Sequence, residues 1–251
     1  MTRRAKQKEN WEVPSDHTWD KISKSFAYTR QKPWSQVIDF INSLPKSASL
    51  LDLGSGNGRH ALPAAMRVKK VVAADVSGEL LKIVEERARE EGIGNIETVD
   101  CDARKMPFED GSFDACIFIA ALHNIETRRG RRLALAEVAR VLKPGGVALV
   151  TVWARWQDRH IKDFSKEIFR WPLKKLAALA TRKNYEFGDI DLPWTHHGMR
   201  VSRFYHMYTM KELANDVCAS GLLIDKKWSE KIRSKKRADN HFLICEKWVL
   251  S

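Results

Sequence analysis

The residues best placed to do chemistry lie in Ser49–His60, SLLDLGSGNGRH. Asp52 interrupts a short apolar run, and Gly54, Gly56 and Gly58 follow at every second position. Glycine lacks Cβ, so the chain can turn through φ > 0 there and lie against a ligand. A helix beginning just beyond the turn would aim its free N–H groups at the same place. Dinucleotide sites use G-x-G-x-x-G to seat a pyrophosphate. The spacing here is D-x-G-x-G-x-G instead. Asp75 stands 23 residues after Asp52, at the end of the next apolar run. An acid at that distance suits a ribose diol, because two carboxylate oxygens can accept both hydroxyl protons. Asp75 and Ser77 also precede a helical stretch, so a cap at that helix is a second reading.

These residues need a framework of alternating strands and helices. The sequence predicts strands from Leu50, over Lys70–Asp75, Ile96–Asp100, Phe113–Ile119 and Val147–Trp153, with helices between them. The near-continuous apolar run Phe113–Ile119 is of the buried parallel type. Helices are expected at His60–Met66, at Gly78–Glu91, and ending at Leu142, where Lys143-Pro144-Gly145-Gly146 stops the chain. Arg128 to Arg132 reads as a basic connection into that helix. Thr209 and Glu212 form a capping-box pattern. Leu222–Trp228 and His241–Trp248 would close the sheet as an antiparallel pair. The expected architecture is α/β: a Rossmann-like, seven-stranded sheet, mostly parallel with the last strand antiparallel, and helices on both faces. Residues 1–14 read as a basic flexible arm and 15–251 as one domain. Within it, 15–48 form two N-terminal helices that cover the pocket. Residues 154–205 form an insertion after the fifth strand, helical around Leu173–Ala180 and irregular around Gly188–Met199.

The chain has 251 residues, 43% of them hydrophobic, enough for one packed domain. No apolar run reaches membrane-spanning length, and no secretory leader is visible, so a cytoplasmic protein with no membrane partner is expected. Four scattered cysteines lack metal-ligand spacing. The net charge of +12 is clustered, in the arm, at Arg128–Arg132 and at Lys226–Arg237, which points to a polyanionic partner.

The glycine motif with its acids resembles the first motif of the class I S-adenosylmethionine-dependent methyltransferases. That ligand carries a cationic sulfonium and an amino-acid end, which suits an acid beside the turn. The resemblance implies that Asp52, Gly54, Gly56, Gly58 and Ala120 hold the cofactor, that Asp75 binds its ribose, and that Asp102 and Ala103 receive its adenine. More specific pieces are Thr29-Arg30-Gln31-Lys32-Pro33-Trp34, Ile119 to Asn124, Val152 to Gln157 and Arg203 to Tyr208. These resemble the eukaryotic tRNA methyltransferases that esterify 5-carboxymethyluridine at the wobble position, the methyltransferase domain of AlkB homologue 8 among them. The family's second histidine is Asn124 here.

A carboxylate acceptor is already ionised near neutral pH and needs no general base. Catalysis then reduces to orientation, worth roughly 7–11 kcal/mol at best. Arg30 is the candidate clamp for the carboxylate and His123 the candidate hydrogen-bond partner, or a base if the acceptor were a ribose hydroxyl. The resemblance makes Arg203, Tyr205 and His206 contacts to the anticodon loop of tRNA, with Tyr205 and His206 stacking on unpaired bases. It also implies a small zinc-binding activator protein at the edge formed by the third strand. No Asn/Asp-Pro-Pro-Tyr tetrad or Pro-Cys pair follows the fourth strand, which argues against base-amine and pyrimidine C5 methylation and against DNA. A small-molecule acceptor and a non-catalytic RNA-binding subunit are the competing readings.

Overall fold

Buried parallel strands need apolar side chains on both faces, and the strand-length runs of this chain provide them. In a computed structural model, residues 15–158, 160–181, 185–196 and 199–248 are described; the arm expected over 1–14 lies outside them. The first half runs α1 (Ser15–Thr29), α2 (Ser35–Ser43), β1 (Ser49–Leu53), α3 (Ala61–Ala65), β2 (Lys70–Asp75), α4 (Gly78–Glu90), β3 (Ile96–Asp100), β4 (Phe113–Ile119) and a 3-10 turn at Leu122–Asn124. The second runs α5 (Arg128–Val141), β5 (Leu142–Trp153), α6 (Ile161–Thr181), β6 (Asp189–His196), β7 (Met199–His206), α7 (Met210–Cys218), β8 (Leu222–Glu230) and β9 (Asn240–Lys247).

Seven strands form one sheet in the order β3-β2-β1-β4-β5-β9-β8. β1, β2, β3, β4 and β5 are mutually parallel, and β9 runs antiparallel to both β5 and β8. Alternate residues of each strand enter opposite cores. Leu51, Cys116 and Phe118 join Leu135, Val138 and Leu213 of α5 and α7, whereas Leu50, Ala115 and Ile117 join Val37, Ile41 and Ala64 of α2 and α3. The strand order reverses between β1 and β4, so the carboxyl ends of these two strands diverge into a crevice.

Several sequence expectations are corrected. Arg128 to Arg132 is not a connection: it forms the first turns of α5, started by the Thr127 side chain accepting from the Gly130 amide. Its charges are largely paired. Arg128 and Arg132 both reach Asp216 of α7, at 2.7 and 2.8 Å, and the fully buried Arg131 meets Glu186 at 2.7 Å. β5 starts at Leu142 because the Lys143–Gly146 turn is absorbed as an irregularity in its pairing with β4. α3 is only five residues long. The segment expected to be irregular around Gly188–Met199 is mostly a two-stranded ribbon, β6 paired antiparallel with β7. Ile190 and Leu192 of β6 and Tyr205 of β7 bury one face of it against Phe164 of α6. The capping box at Thr209 and Glu212 is present, with both reciprocal hydrogen bonds.

Candidate active site

A cavity opens at the carboxyl ends of β1, β2 and β4, and the glycine turn forms its floor. Gly54 and Gly56 both have positive φ, +66° and +56°. A Cβ on Gly54 would lie 2.4 Å from the Cβ of Ala121, so the first turn must be glycine for the β4 exit to pass. Ala120 itself has φ +53°, a conformation that costs an L-residue about 1 kcal/mol. Its amide is held there by the Thr151 hydroxyl, at 2.9 Å, and carbonyl, at 3.1 Å. Gly58 does not line the cavity. Its absent side chain makes room for Val84 of α4, so its role is helix packing rather than ligand contact.

Three of the expected acids line the cavity: Asp52, Asp75 and Asp102. Asp52 is 1% exposed, and its Oδ2 has no partner within the described residues. Burial pushes its carboxyl up to about 7, opposed by the Arg59 guanidinium and aided by Asp75. A buried carboxylate with an unused oxygen facing a cavity calls for a cation, and the ammonium of an amino-acid ligand fits that demand. Asp75 ties the floor together: Oδ2 accepts from the Gly56 amide at 2.8 Å and Oδ1 from the Ser77 amide at 2.9 Å. The Val76 amide bonds the same carboxylate, which leaves one of its four lone pairs for a ribose hydroxyl. Burial raises the Asp75 carboxyl as well. Asp102 is engaged by Arg104, which donates from Nε at 3.0 Å and Nη2 at 2.5 Å, so a base amine would share that carboxylate with an arginine.

On the far side of the Ala120 turn the cavity is lined by His123, Trp153, Arg30, Arg203 and Tyr205. His123 Nδ1 accepts the Trp153 amide at 3.1 Å, which fixes the neutral tautomer with hydrogen on Nε2. Nε2 is buried and has no partner among the described residues. Burial, with His206, Arg203 and Arg131 nearby, pushes the imidazole down to about 3. His123 is therefore a neutral N–H donor whose one lone pair, on Nδ1, is engaged by the Trp153 amide rather than free to take a proton. Arg30 and Arg203 lie on the indole of Trp194, at 5.9 and 4.7 Å from its ring centre. Asn57, inside the glycine turn, donates to the Arg30 carbonyl at 3.1 Å and so fixes the clamp's backbone to the floor. Helix α1 is tied down elsewhere too: Asp20 accepts from the Ser77 hydroxyl at 2.6 Å, and the Trp194 indole donates to Ser25 at 3.0 Å.

The two remaining expected contacts are corrected. Tyr205 lines the cavity, but it is 2% exposed and its ring lies flat on Trp153 at 4.6 Å. His206 is equally buried, lies outside the cavity lining and hydrogen-bonds Asp189 at 2.7 Å. Neither presents an open face to an unpaired base, because both are buried where the β6–β7 ribbon packs onto the domain. Sequence reading missed Trp194, Asn57 and Arg59. Trp194 was findable from the alternation Ile190, Leu192, Trp194; Asn57 and Arg59 carried no signal beyond adjacency to the glycines.

Comparison with known proteins agrees with this geometry. Residues 51–150 match the methyltransferase domain model. A methyltransferase from Methanosarcina mazei aligns with a TM-score of 0.70 and 24% identity, covering 87% of this chain and 100% of that one. The fold is that of the class I S-adenosylmethionine-dependent methyltransferases. Among sequence relatives, this chain is 39% identical over 143 residues to tRNA (carboxymethyluridine(34)-5-O)-methyltransferase alkbh8 of Xenopus tropicalis, 56% of this chain and 21% of that protein. It is 29% identical over 235 residues to tRNA (carboxymethyluridine(34)-5-O)-methyltransferase of Schizosaccharomyces pombe, 91% of this chain and 94% of that one. The chain spans about a fifth of the length of the first curated relatives it matches. A complex of the Haloferax volcanii Trm112 methyltransferase activator with a methyltransferase aligns with a TM-score of 0.63 and 14% identity, over 94% of this chain and 98% of that one.

Proposed function

We propose that this chain methylates the carboxylate of 5-carboxymethyluridine at the wobble position of tRNA, with S-adenosylmethionine as donor. The observation that carries the reading is the pairing of a neutral N–H donor, His123, with guanidinium groups in the half of the cavity beyond the β4 exit. That set binds and orients an anion and offers no base, which is what an acceptor already ionised at neutral pH requires. The two tRNA methyltransferase relatives named above support the substrate assignment.

Bound S-adenosylmethionine supplies an electrophilic methyl group on a sulfonium. Asp52 pairs with the ammonium of its amino-acid end, Asp75 accepts from a ribose hydroxyl, and Asp102 with Ala103 borders the adenine. Gly54, Gly56 and Ala120 let the backbone approach the donor closely. On the acceptor side, His123 Nε2–H donates to one carboxylate oxygen, and Arg30 and Arg203 orient the group without a proton moving at any side chain. Two arginines spread over Trp194 hold the carboxylate by direction, since each also gives part of its attraction to the indole face. Residues 154–205 act as an insertion that walls the acceptor side, and 15–48 as its cover.

The likeness to the Trm112 complex supports an activator subunit, and we assign its zinc to the partner. β3 is an edge strand, paired among the described residues with β2 alone, and is the strand that would receive it. The cytoplasm is the proposed location; no described helix is long and apolar enough to cross a membrane. Co-expression with a Trm112-type partner, followed by transfer of labelled methyl to tRNA, tests the assignment. Label in the ester of wobble 5-carboxymethyluridine supports it. Label confined to small molecules refutes it in favour of a metabolite acceptor.

A further inference from the structure

Most arginines with described partners in this protein are neutralised by a carboxylate: Arg87 by Glu91, Arg104 by Asp102, Arg128 and Arg132 by Asp216, Arg140 by Glu137, Arg155 by Glu212. Two that line the cavity differ. Arg59 and Arg233 have no carboxylate within ion-pair distance among the described residues, although both border the same opening. Arg59 stands just after the glycine turn, its guanidinium 4.9 Å from the centre of the Trp34 ring. Burial pushes its guanidinium down to about 10, Arg30 and Arg233 oppose its charge as well, and Asp52, beyond ion-pair distance, offsets them in part. Like charges gathered at a partly buried rim repel one another, and an anion seated among them removes that repulsion.

The loop that carries Arg233 is built rigidly. Asp239, 4% exposed, accepts three successive amides, from Ile232 at 2.7 Å, Arg233 at 2.7 Å and Ser234 at 2.9 Å. Asp158 accepts the amides of Lys236 at 2.6 Å and Arg237 at 3.2 Å. Side-chain carboxylates thus bind the backbone of a basic loop, and among the described residues none forms an ion pair with the Arg233 side chain. A loop held this way loses little entropy when it meets a partner.

We propose that Arg59 and Arg233 form a phosphate subsite at the rim, which grips the backbone phosphodiester of the nucleotide whose base enters the cavity. The inference rests on the RNA reading and deepens it: Arg30, Arg203 and His123 serve the base carboxylate, while Arg59 and Arg233 require that the base belong to a polynucleotide. A free carboxylic acid would fill the inner set and leave the rim empty. The carboxylate-bearing nucleotide has two anionic groups, and the cavity offers one cationic set for each.

The test uses the full chain with its activator, saturated with S-adenosylhomocysteine, and an anticodon stem-loop RNA bearing wobble 5-carboxymethyluridine. Binding is measured from low to moderate salt for the wild type, Arg59→Gln, Arg233→Gln, the double variant, and Lys46→Gln as a control at the opposite end of β1. Releasing one phosphate of a single strand from its cationic partner reduces the steepness of log affinity against log salt by about 0.7. Each single rim variant is expected to show a reduction of about that size, the double variant about twice as much, and the control none. In turnover on the same RNA, the rim variants are expected to raise KM and leave kcat in place. Unchanged slopes in both rim variants overturn the subsite. A slope change confined to Arg59→Gln, accompanied by weakened S-adenosylhomocysteine binding and absent in Arg233→Gln, overturns it as well, by assigning Arg59 to the cofactor half. A wild-type complex that never methylates this RNA overturns the functional reading instead, a different outcome from rim variants that match an active wild type.

Discussion

Asp52 offers the sharpest single perturbation. In the ligand-free fold its carboxyl is raised from 3.8 to about 7, chiefly by burial. A folded-state value above the unfolded one means that the native protein holds a proton the unfolded chain has released. Stability therefore falls as pH rises from about 4 to 7 and stays reduced above that. Three pH units at about 1.4 kcal/mol each set a ceiling of about 4 kcal/mol on the effect. Asp52→Asn keeps the shape and removes the charge. Without ligand, the variant should be more stable than the wild type at pH 8 by up to that amount, and the gap should shrink towards pH 5. Ligand binding should show the opposite face of the same chemistry. If the ammonium of the cofactor requires an ionised Asp52, about nine-tenths of the sites are ready at pH 8 and about one-tenth at pH 6, so wild-type affinity should fall roughly tenfold between them. The variant should bind more weakly and without that pH dependence. Denaturant unfolding from pH 5 to 8.5, paired with calorimetry using S-adenosylhomocysteine, reads both. A stability gap independent of pH, together with flat wild-type affinity, would refute the role of Asp52 as counter-ion.

Gly54→Ala should abolish cofactor binding, since its Cβ would meet the Ala121 Cβ at 2.4 Å in a backbone with φ +66°; calorimetry beside circular dichroism separates lost binding from lost fold. With the imidazole at about 3, His123 stays neutral throughout the working range, so the pH–rate profile should show no limb near 6.5 from this residue, and His123→Ala should lower kcat/KM at all pH values alike. A limb that disappears in His123→Ala would restore a base. Thr209→Ala removes one half of the capping box of α7 and should cost about 1 kcal/mol in denaturant unfolding without changing cofactor affinity.

Much of the framework was legible because its signals are local. Lys70–Asp75 carries the apolar run Val71–Ala74, Phe113–Ile119 is apolar except for Asp114, and the structure begins and ends those strands at the expected residues. Thr209 and Glu212 cap a helix through atoms three residues apart. What escaped was set by distant partners. Arg131 looked like one more surface cation in a basic run, but it is buried because Glu186 and the Tyr208 hydroxyl, 55 and 77 residues away, receive it. The β6–β7 ribbon does alternate, but Pro193 and the charged Asp189 and Asp191 hid the pattern. Tyr205 and His206 were assigned to RNA by resemblance alone, and the fold buries both. For the cavity, the acids of the cofactor half follow strand ends and were readable. The acceptor half draws on α1, β5, β7 and the β8–β9 loop together, and no short motif records that convergence.

The central claim is that the half-cavity around His123 and Arg30 orients a carboxylate on RNA for methylation. Its most direct test is mass spectrometry of wobble nucleosides from tRNA rich in 5-carboxymethyluridine, incubated with isotopically labelled S-adenosylmethionine and the chain bound to its activator. The account predicts a labelled methyl ester on that nucleoside, released by mild alkali, and its loss in Arg30→Ala. An alkali-stable methyl on ribose or on a base ring atom would contradict it.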